Sequence, residues 1–353
     1  NGAGKLGAEM DGVIRGTEDD DALAGRSGEP VTITFDKSTS EETDSFVLES
    51  DGVTISSEGY DGATSSRLSF QGNGMGVADD SSTQDQATTQ LGYRDGDSQA
   101  IVMDFDKPST GFKAEATRLF ENEDEVGQVE AILDNQSQGI WTFSGVDNGT
   151  VNGEDIDFDI GNNGGDFELP AGVVFDQLRF TATEYANDES NLDDSSDYFL
   201  KSIAYEEAYA SNDLLIGGEG DDELTGLLGD DVFQWNLGDP DTENSPAEDV
   251  VTDFGTVSGN KDVMDLRDLL SDQESNDINE YLSAAEDGSN VVFHVSHNGT
   301  LTVGNSQGAD GISGATQKIT LQGKEFADFD SSIGSSNDLI DHMLNNGQLK
   351  IDT

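Results

Sequence analysis

The chain has 353 residues, with 74 acidic against 16 basic side chains and a formal net charge of −58. Such a surface repels phosphate backbones and anionic lipid, so neither nucleic acid nor membrane insertion is expected. Cysteine is absent, which removes disulfides and thiolate zinc sites. No apolar run approaches the length of a membrane-spanning helix, and no basic start with an apolar stretch marks a secretory signal peptide.

Acidity with few aromatics often accompanies disorder. Here 17 Phe, 7 Tyr and 2 Trp fall mostly in alternating apolar and polar stretches, which favours folded strands. Glycine numbers 42 against 5 prolines. Glycine and aspartate in excess point to tight turns and oxygen ligands for a hard cation. Calcium is the natural candidate, because it takes carboxylate and carbonyl oxygens in flexible shells. A folded state with this much like charge needs such cations or high salt.

Near the N-terminus, Gly16-Thr17-Glu18-Asp19-Asp20-Asp21-Ala22-Leu23-Ala24-Gly25 is a glycine- and aspartate-rich turn. It fits the frame of a nonapeptide that is clearer downstream, with Asp21 at the sixth position and Leu23 at the eighth. Ile14 lies nine residues before Leu23. Asp19 stands where the frame has glycine. Residues 1–29 are expected to form degenerate turns of a β-roll.

Residues 30–207 read as an all-β, jelly-roll-like sandwich. Val31–Phe35, Ile101–Phe105, Trp141–Phe143, Val174–Thr183 and Phe199–Tyr205 alternate, separated by Gly, Asn, Asp and Ser clusters. Lys113–Phe120 is the one helical candidate. Asp155–Gly161 resembles the start of an EF-hand loop, but Ile160 occupies the required glycine position, so an alternating strand fits better. The acidic run Asn187–Asp197 is either a solvated loop or a calcium loop, with Asp193, Asp194 and Asp197 as its candidate ligands. Tyr60, Tyr93, Arg94 and Tyr185, with Asp61 beside Tyr60, are candidate ligand-binding residues, and Trp141 is a further aromatic. Aromatic rings pack on sugar faces, and arginine suits a carboxylate.

Residues 208–236 carry the repeat. Gly217-Gly218-Glu219-Gly220-Asp221-Asp222-Glu223-Leu224-Thr225 is followed by Gly226-Leu227-Leu228-Gly229-Asp230-Asp231-Val232-Phe233-Gln234. Asp213, Asp222 and Asp231 are nine apart, as are Leu215, Leu224 and Phe233. This is the nonapeptide of a calcium-binding parallel β-roll. Gly217, Gly218, Gly220, Gly226 and Gly229 serve turns that are crowded or need positive φ. Each sixth-position Asp should point between stacked turns, and each eighth-position residue into the core. Leu227 departs from the pattern, since glycine is usual there. The metal candidates are therefore Asp21, Asp213, Asp222, Asp231 and these glycines.

Residues 237–353 should form a cap with short strands at Val250–Phe254, Val263–Leu266 and Val291–Val295. Arg267–Leu270, Ile278–Glu286 and Asp338–Leu344 look helical. Gly304-Asn305-Ser306-Gln307-Gly308 matches a nucleophile-elbow pattern, but the glycine-rich stretch after it cannot supply the helix that motif needs. His294 and His297, three apart on a strand, should face opposite ways and so make no zinc pair. No His-Glu-x-x-His is present. No catalytic residue is assigned, and an enzyme is not expected.

The nonapeptides and the tail resemble the C-terminal end of large repeats-in-toxin adhesins exported by type I secretion. The tail residues that carry the likeness are Asp231–Trp235, Pro246–Phe254, Asp262–Leu266, Asp268–Leu270, Tyr281-Leu282, Val291–Val295 and Ile319–Gly323. Gly259-Asn260-Lys261-Asp262 departs from the family's Gly-Asp. The middle region is similar, on Gly74–Val77, Phe175–Phe180 and Ser196–Ile203, to ligand-binding sandwich modules of these adhesins.

The resemblance implies several calcium ions, a glycan or peptide ligand on another cell surface, export through the type I machinery, and an extracellular or cell-surface location as a monomer. It implies a domain order of 1–29 roll turns, 30–207 sandwich, 208–236 roll and 237–353 cap and secretion region. An exported polysaccharide-acting enzyme or carbohydrate-binding module, and a purely structural calcium-rigidified spacer, are the alternatives.

Overall fold

The computed structural model describes residues 12–17, 19–35, 41–43, 45–48, 52–60, 66–78, 89–94, 96–119, 125–144, 150–151, 154–155, 164–183, 196–239, 245–255, 260–271, 277–304 and 311–352. The protein is all-β. Among the described residues the α-helices are Phe326–Phe329 and Ser336–Asn346, and none is long and apolar enough to cross a membrane. The chain divides into two compact units, one of residues 1–26 with 209–353 and one of residues 27–208.

In the unit 27–208 the organising element is the 18-residue strand Ala100–Thr117. Its first part pairs with Val53–Glu58 on one side and Phe175–Ala182 on the other. Its last part pairs with Asp197–Glu207 and Gly164–Glu168. The register shifts between Asp104 and Ser109, around Pro108, which has no N–H to give a ladder. One bent strand thus serves both layers of a sandwich, the usual way a sheet turns a corner. Val126–Leu133 and Gln136–Ser144 extend the first layer, and Val31–Thr34, Gly74–Ala78 and Leu91–Arg94 attach to Asp197–Glu207 in the second. Alternate side chains from both layers fill one core, including Met103, Phe112, Phe143, Phe167, Phe180 and Leu200. The Phe143 and Phe167 rings stack at 4.1 Å.

The helix expected from Lys113 is not formed. Lys113 to Thr117 continue the long strand, with Ala114 and Ala116 buried and Lys113 outward, and Arg118 and Leu119 follow it without forming a helix. Lys113 and Glu115 pair across strands with Glu168 at 2.6 Å and Lys201 at 2.7 Å. Good helix formers yield here to period-two burial. Trp141 is a core side chain, 5% exposed, and is withdrawn from the aromatic candidates.

In the other unit the chain alternates between two sheets. The first runs Gly12–Arg15, Asp213–Ile216, Val232–Gln234, Val263–Asp265 and Leu349–Lys350, all parallel. The second stacks Ala22–Ala24, Glu223–Thr225, Ala247–Val251 and Gln317–Leu321 in parallel, then adds Asn290–Val295 and Leu282–Asp287 antiparallel. This is a parallel β-roll. The N-terminal turns form its first coil, and stacking continues well past residue 236.

The register makes two inward columns. Ile14, Leu215, Phe233, Met264 and Leu349 are successive partners in the first sheet. Leu23, Leu224, Val251 and Leu321 are partners in the second. Both columns belong to one apolar cluster. Burying each large side chain there contributes about 1.5–3 kcal/mol.

The helix Ser336–Asn346 closes this core with Leu339, Ile340 and Met343. Ser335 caps its start, and Gly347 ends it at φ 76°. Two other helical expectations fail. Arg267–Leu270 is a turn, and Ile278–Glu286 resolves into one 3₁₀ turn, Ile278–Glu280, and the strand Leu282–Asp287. That strand is held by its antiparallel neighbour, which overrides helix propensity.

Candidate metal centre

Asp213 opens a strand of the roll, Asp21, Asp222, Asp231 and Asp262 stand immediately before one, and Asp249 lies within Ala247–Val251. The turns are tight. Gly218, Gly220 and Gly229 have φ of 117°, 108° and 147°, and Leu227 is held at 66° where the motif has glycine. A leucine in that region carries a steric cost of about 1–2 kcal/mol. The Asp253 carboxylate offsets it by accepting the N–H groups of Gly226 at 2.9 Å and Leu227 at 2.7 Å.

The aspartates join coil to coil. Asp222 accepts the N–H of Asp21 at 2.9 Å, and Asp249 accepts that of Asp222 at 2.9 Å. On the other sheet Asp231 accepts the N–H of Asp213 at 2.7 Å, and Asp262 accepts that of Asp231 at 3.1 Å. The preceding position makes bonds of opposite sense. Asp20 accepts from the Asp221 N–H at 3.0 Å, Asp221 from Glu248 at 2.8 Å, Asn212 from Asp230 at 2.7 Å and Asp230 from Lys261 at 2.9 Å.

The second carboxylate oxygens divide into two classes. Asp249 Oδ2 accepts from Trp235 Nε1 at 2.5 Å and Gln317 Nε2 at 2.9 Å. Asp262 Oδ2 accepts from the Gly255 N–H at 2.6 Å. By contrast Asp213 Oδ1, Asp222 Oδ2 and Asp231 Oδ2 are buried with no hydrogen-bond donor. Asp213 Oδ1 has only the Arg26 Nε ion-pair contact, at 3.6 Å. These three are the sixth-position aspartates of the repeats.

Burial raises the carboxyl of Asp222 above its ordinary range and pushes Asp231 up to about 8. Neighbouring aspartates add to the effect. Burial likewise lifts Asp249 and Asp253 to about 7 and Asp262 to about 6. A carboxylate left buried and unpaired at neutral pH is costly, and a cation relieves that cost.

The glycines leave the space. A Cβ on Gly217 would stand 2.1 Å from Asp222 Oδ2, and one on Gly226 would stand 2.6 Å from Asp231 Oδ2. The donor set is oxygen only, as calcium prefers. Among the described residues no three Asp, Glu or His side chains converge as a metal cluster. A cation here would draw at most two ligands from these carboxylates and the rest of its shell from backbone carbonyls. With that composition the residues fit calcium.

Sequence reading missed Asp249, Asp253, Asp262, Trp235 and Gln317. After Asp231 the motif lapses: Asp249 lies two nine-residue steps on, but Pro240 stands at the step between, and Asp262 follows Asp249 by 13 residues. A shorter signal persists, an aspartate two before an inward apolar residue: Asp213 and Leu215, Asp222 and Leu224, Asp231 and Phe233, Asp249 and Val251, Asp262 and Met264.

In the sandwich unit the structure gathers Tyr60, Tyr93 and Asp197 near one end. Gly92 pairs with Asp197, and a Cβ on Gly92 would stand 3.2 Å from the Tyr60 hydroxyl. The Tyr93 N–H donates to the Ser196 carbonyl at 3.1 Å. Asp61, Tyr185, Asp193, Asp194 and the Arg94 side chain lie outside the described residues, as do Ile156–Gly161 and Asn305–Gly308. His294 is buried on its strand, while His297 sits in the following turn with its Nδ1 2.9 Å from Thr316 Oγ1. The two are therefore not on one strand.

No protein-family model and no curated protein matches the chain. A solved structure, the solution structure of the AlgE6R3 subunit from the Azotobacter vinelandii mannuronan C5-epimerase, is 23% identical over 36% of this chain and 70% of that chain, with a TM-score of 0.21. At that TM-score the likeness adds nothing to the geometry above.

Proposed function

We propose that this chain is a calcium-dependent binding segment of a secreted, cell-surface adhesin, and that it folds after export. The observation that supports this reading best is the set of three buried, donor-less oxygens on Asp213, Asp222 and Asp231. With the turn carbonyls, these residues would hold calcium, which when bound supplies the positive charge their burial requires. Where calcium is scarce, the buried carboxylates and the net charge of −58 oppose compaction and keep the chain fit for export unfolded. Outside the cell, folding and cation binding become one equilibrium. A micromolar site at millimolar calcium contributes about 4 kcal/mol, so a few sites decide between folded and unfolded states. The sandwich unit is the part that meets a ligand, and the residues after 236 complete the roll and carry the export region.

Far-UV circular dichroism and thermal melting, in excess EDTA and then in millimolar calcium, test this. A large calcium-induced gain of β signal and melting temperature is expected. Equal folding in EDTA would remove the export switch and leave the charge as a high-salt surface.

A further inference from the structure

We infer that the sandwich unit carries a site for a neutral pyranose sugar on the outer face of its first layer, beside Arg179 and Gln128. The inference rests on the ligand-binding reading above and gives it a place and a ligand class. A groove of about 500 Å³ is lined by Tyr93, Asp97, Ser98, Gln128, Arg179 and Thr181, among others. Its walls are fixed. The Ala182 N–H donates to Ser98 Oγ at 2.9 Å, Ser98 Oγ donates to the Gln99 carbonyl at 2.6 Å, and the buried Tyr198 hydroxyl donates to the Thr181 carbonyl at 2.9 Å.

The groove offers donors and acceptors side by side. Arg179 Nη2 bonds Glu58 Oε2 at 2.9 Å, and both side chains are partly exposed. The remaining N–H groups of Arg179 have no partner among the described residues. Gln128 Oε1 accepts only a long 3.5 Å bond from Thr181 Oγ1, and its Nε2 has no partner among the described residues. A sugar hydroxyl donates and accepts at once, so adjacent hydroxyls can satisfy a guanidinium, a carboxylate and an amide together. Tyr93, which packs against the sandwich core, closes one wall of the groove and adds aromatic surface there.

Charge decides against an acidic ligand. Arg179 is the one cation lining the groove among the described residues, and Glu58 already neutralises it. Asp97 stands on the same wall, and the chain as a whole carries −58. A uronate or a peptide carboxylate would meet net repulsion where a neutral hydroxyl does not.

The test uses the full chain in millimolar calcium. Saturation-transfer NMR and calorimetry are run with methyl glucoside, mannoside, galactoside and fucoside, with galacturonate, and with a short peptide bearing a free C-terminal carboxylate. Gln128→Ala and Arg179→Met are run beside the wild type, with melting temperatures confirming that each folds. The expected result is binding of at least one neutral glycoside, weakened about tenfold or more in both variants, with neither acid competing. Glycoside binding that ignores both substitutions overturns the placement, and binding of galacturonate or peptide alone overturns the ligand class. A broad glycan and peptide array is read in parallel. Array binding without any glycoside effect sinks this inference only. A blank array sinks the ligand-binding reading and the inference with it.

Discussion

The carboxylate of Asp222 accepts the backbone N–H of Asp21, 201 residues earlier in the chain, at 2.9 Å. The Asp221 N–H returns a bond to Asp20 at 3.0 Å. Residues 12–26 are therefore the first coil of the roll. In sequence the sandwich unit is inserted between Arg26 and Tyr209, and the Tyr209 N–H donates to the Arg26 carbonyl at 3.3 Å. Within the sandwich unit Ser27 and Ala208 bridge each other, so its two ends lie side by side. Such an insertion costs little closure entropy, because a folded unit with adjacent ends replaces a long flexible loop.

Asp222→Asn separates the two roles of this carboxylate. The amide keeps the acceptor for the Asp21 N–H and removes the buried charge. In EDTA the variant should melt no lower than the wild type. In calcium it should gain less, by up to about 4 kcal/mol if the site is micromolar. Calorimetry under both conditions reads this, and equal calcium gains in the two proteins would exclude Asp222 as a ligand.

Gly217→Ala should close the same space from the other side. Its Cβ would stand 2.1 Å from Asp222 Oδ2, whereas a Cβ on Gly238 meets nothing within 4 Å. A loss of about 1–3 kcal/mol is expected from such crowding, together with weaker calcium binding. Gly238→Ala is the control. Urea unfolding at several calcium concentrations distinguishes them, and identical behaviour of the two variants would contradict the crowded-turn geometry.

The roll was legible where its period held. Asp213, Asp222 and Asp231 with Leu215, Leu224 and Phe233 sit at the expected inward and between-coil positions, though stacking partners are 18 apart because successive strands alternate between sheets. Beyond Asp231 the strands remain in the stack while their connections lengthen, so Asp249, two periods on with Pro240 between, and Asp262, 13 residues further, no longer form an unbroken repeat. Asp249 also exchanges the expected cation for Trp235 and Gln317, partners that no local pattern announces. The sandwich strands were legible from alternation. The helix expected at Lys113 failed because propensity is local, while pairing with Asp197–Glu207 is not.

Trp235→Phe probes the part of the roll that protein donors close. It removes the Nε1 donor from Asp249 Oδ2 and leaves Gln317 Nε2 in place. A loss of about 1–3 kcal/mol is expected for a hydrogen bond to a buried acidic group. Because both Asp249 oxygens are met by protein donors, the loss should be the same in EDTA and in calcium. Urea unfolding under both conditions checks this. A loss confined to calcium would make Asp249 part of a cation site.

His294 gives the roll unit an acid limit. Both ring nitrogens are buried without partners, and its strand neighbours in register are Ser283 and Lys318. Burial, with the Lys318 charge second, lowers its pKa to about 4, against weaker opposing effects of Glu248 and Asp287. The folded value lies below the unfolded one, so the unfolded chain takes up the proton first as pH falls. Stability is fully present above the ordinary histidine range and is lost progressively on the way down to about 4. His294→Leu removes that linkage while nearly preserving volume. Relative to the variant, the wild type should lose about 2 kcal/mol between neutral pH and about pH 4.5. Parallel melts of the two proteins across this range, at fixed calcium, measure the difference. Two curves that stay parallel would show that His294 is charged or solvated in the folded state.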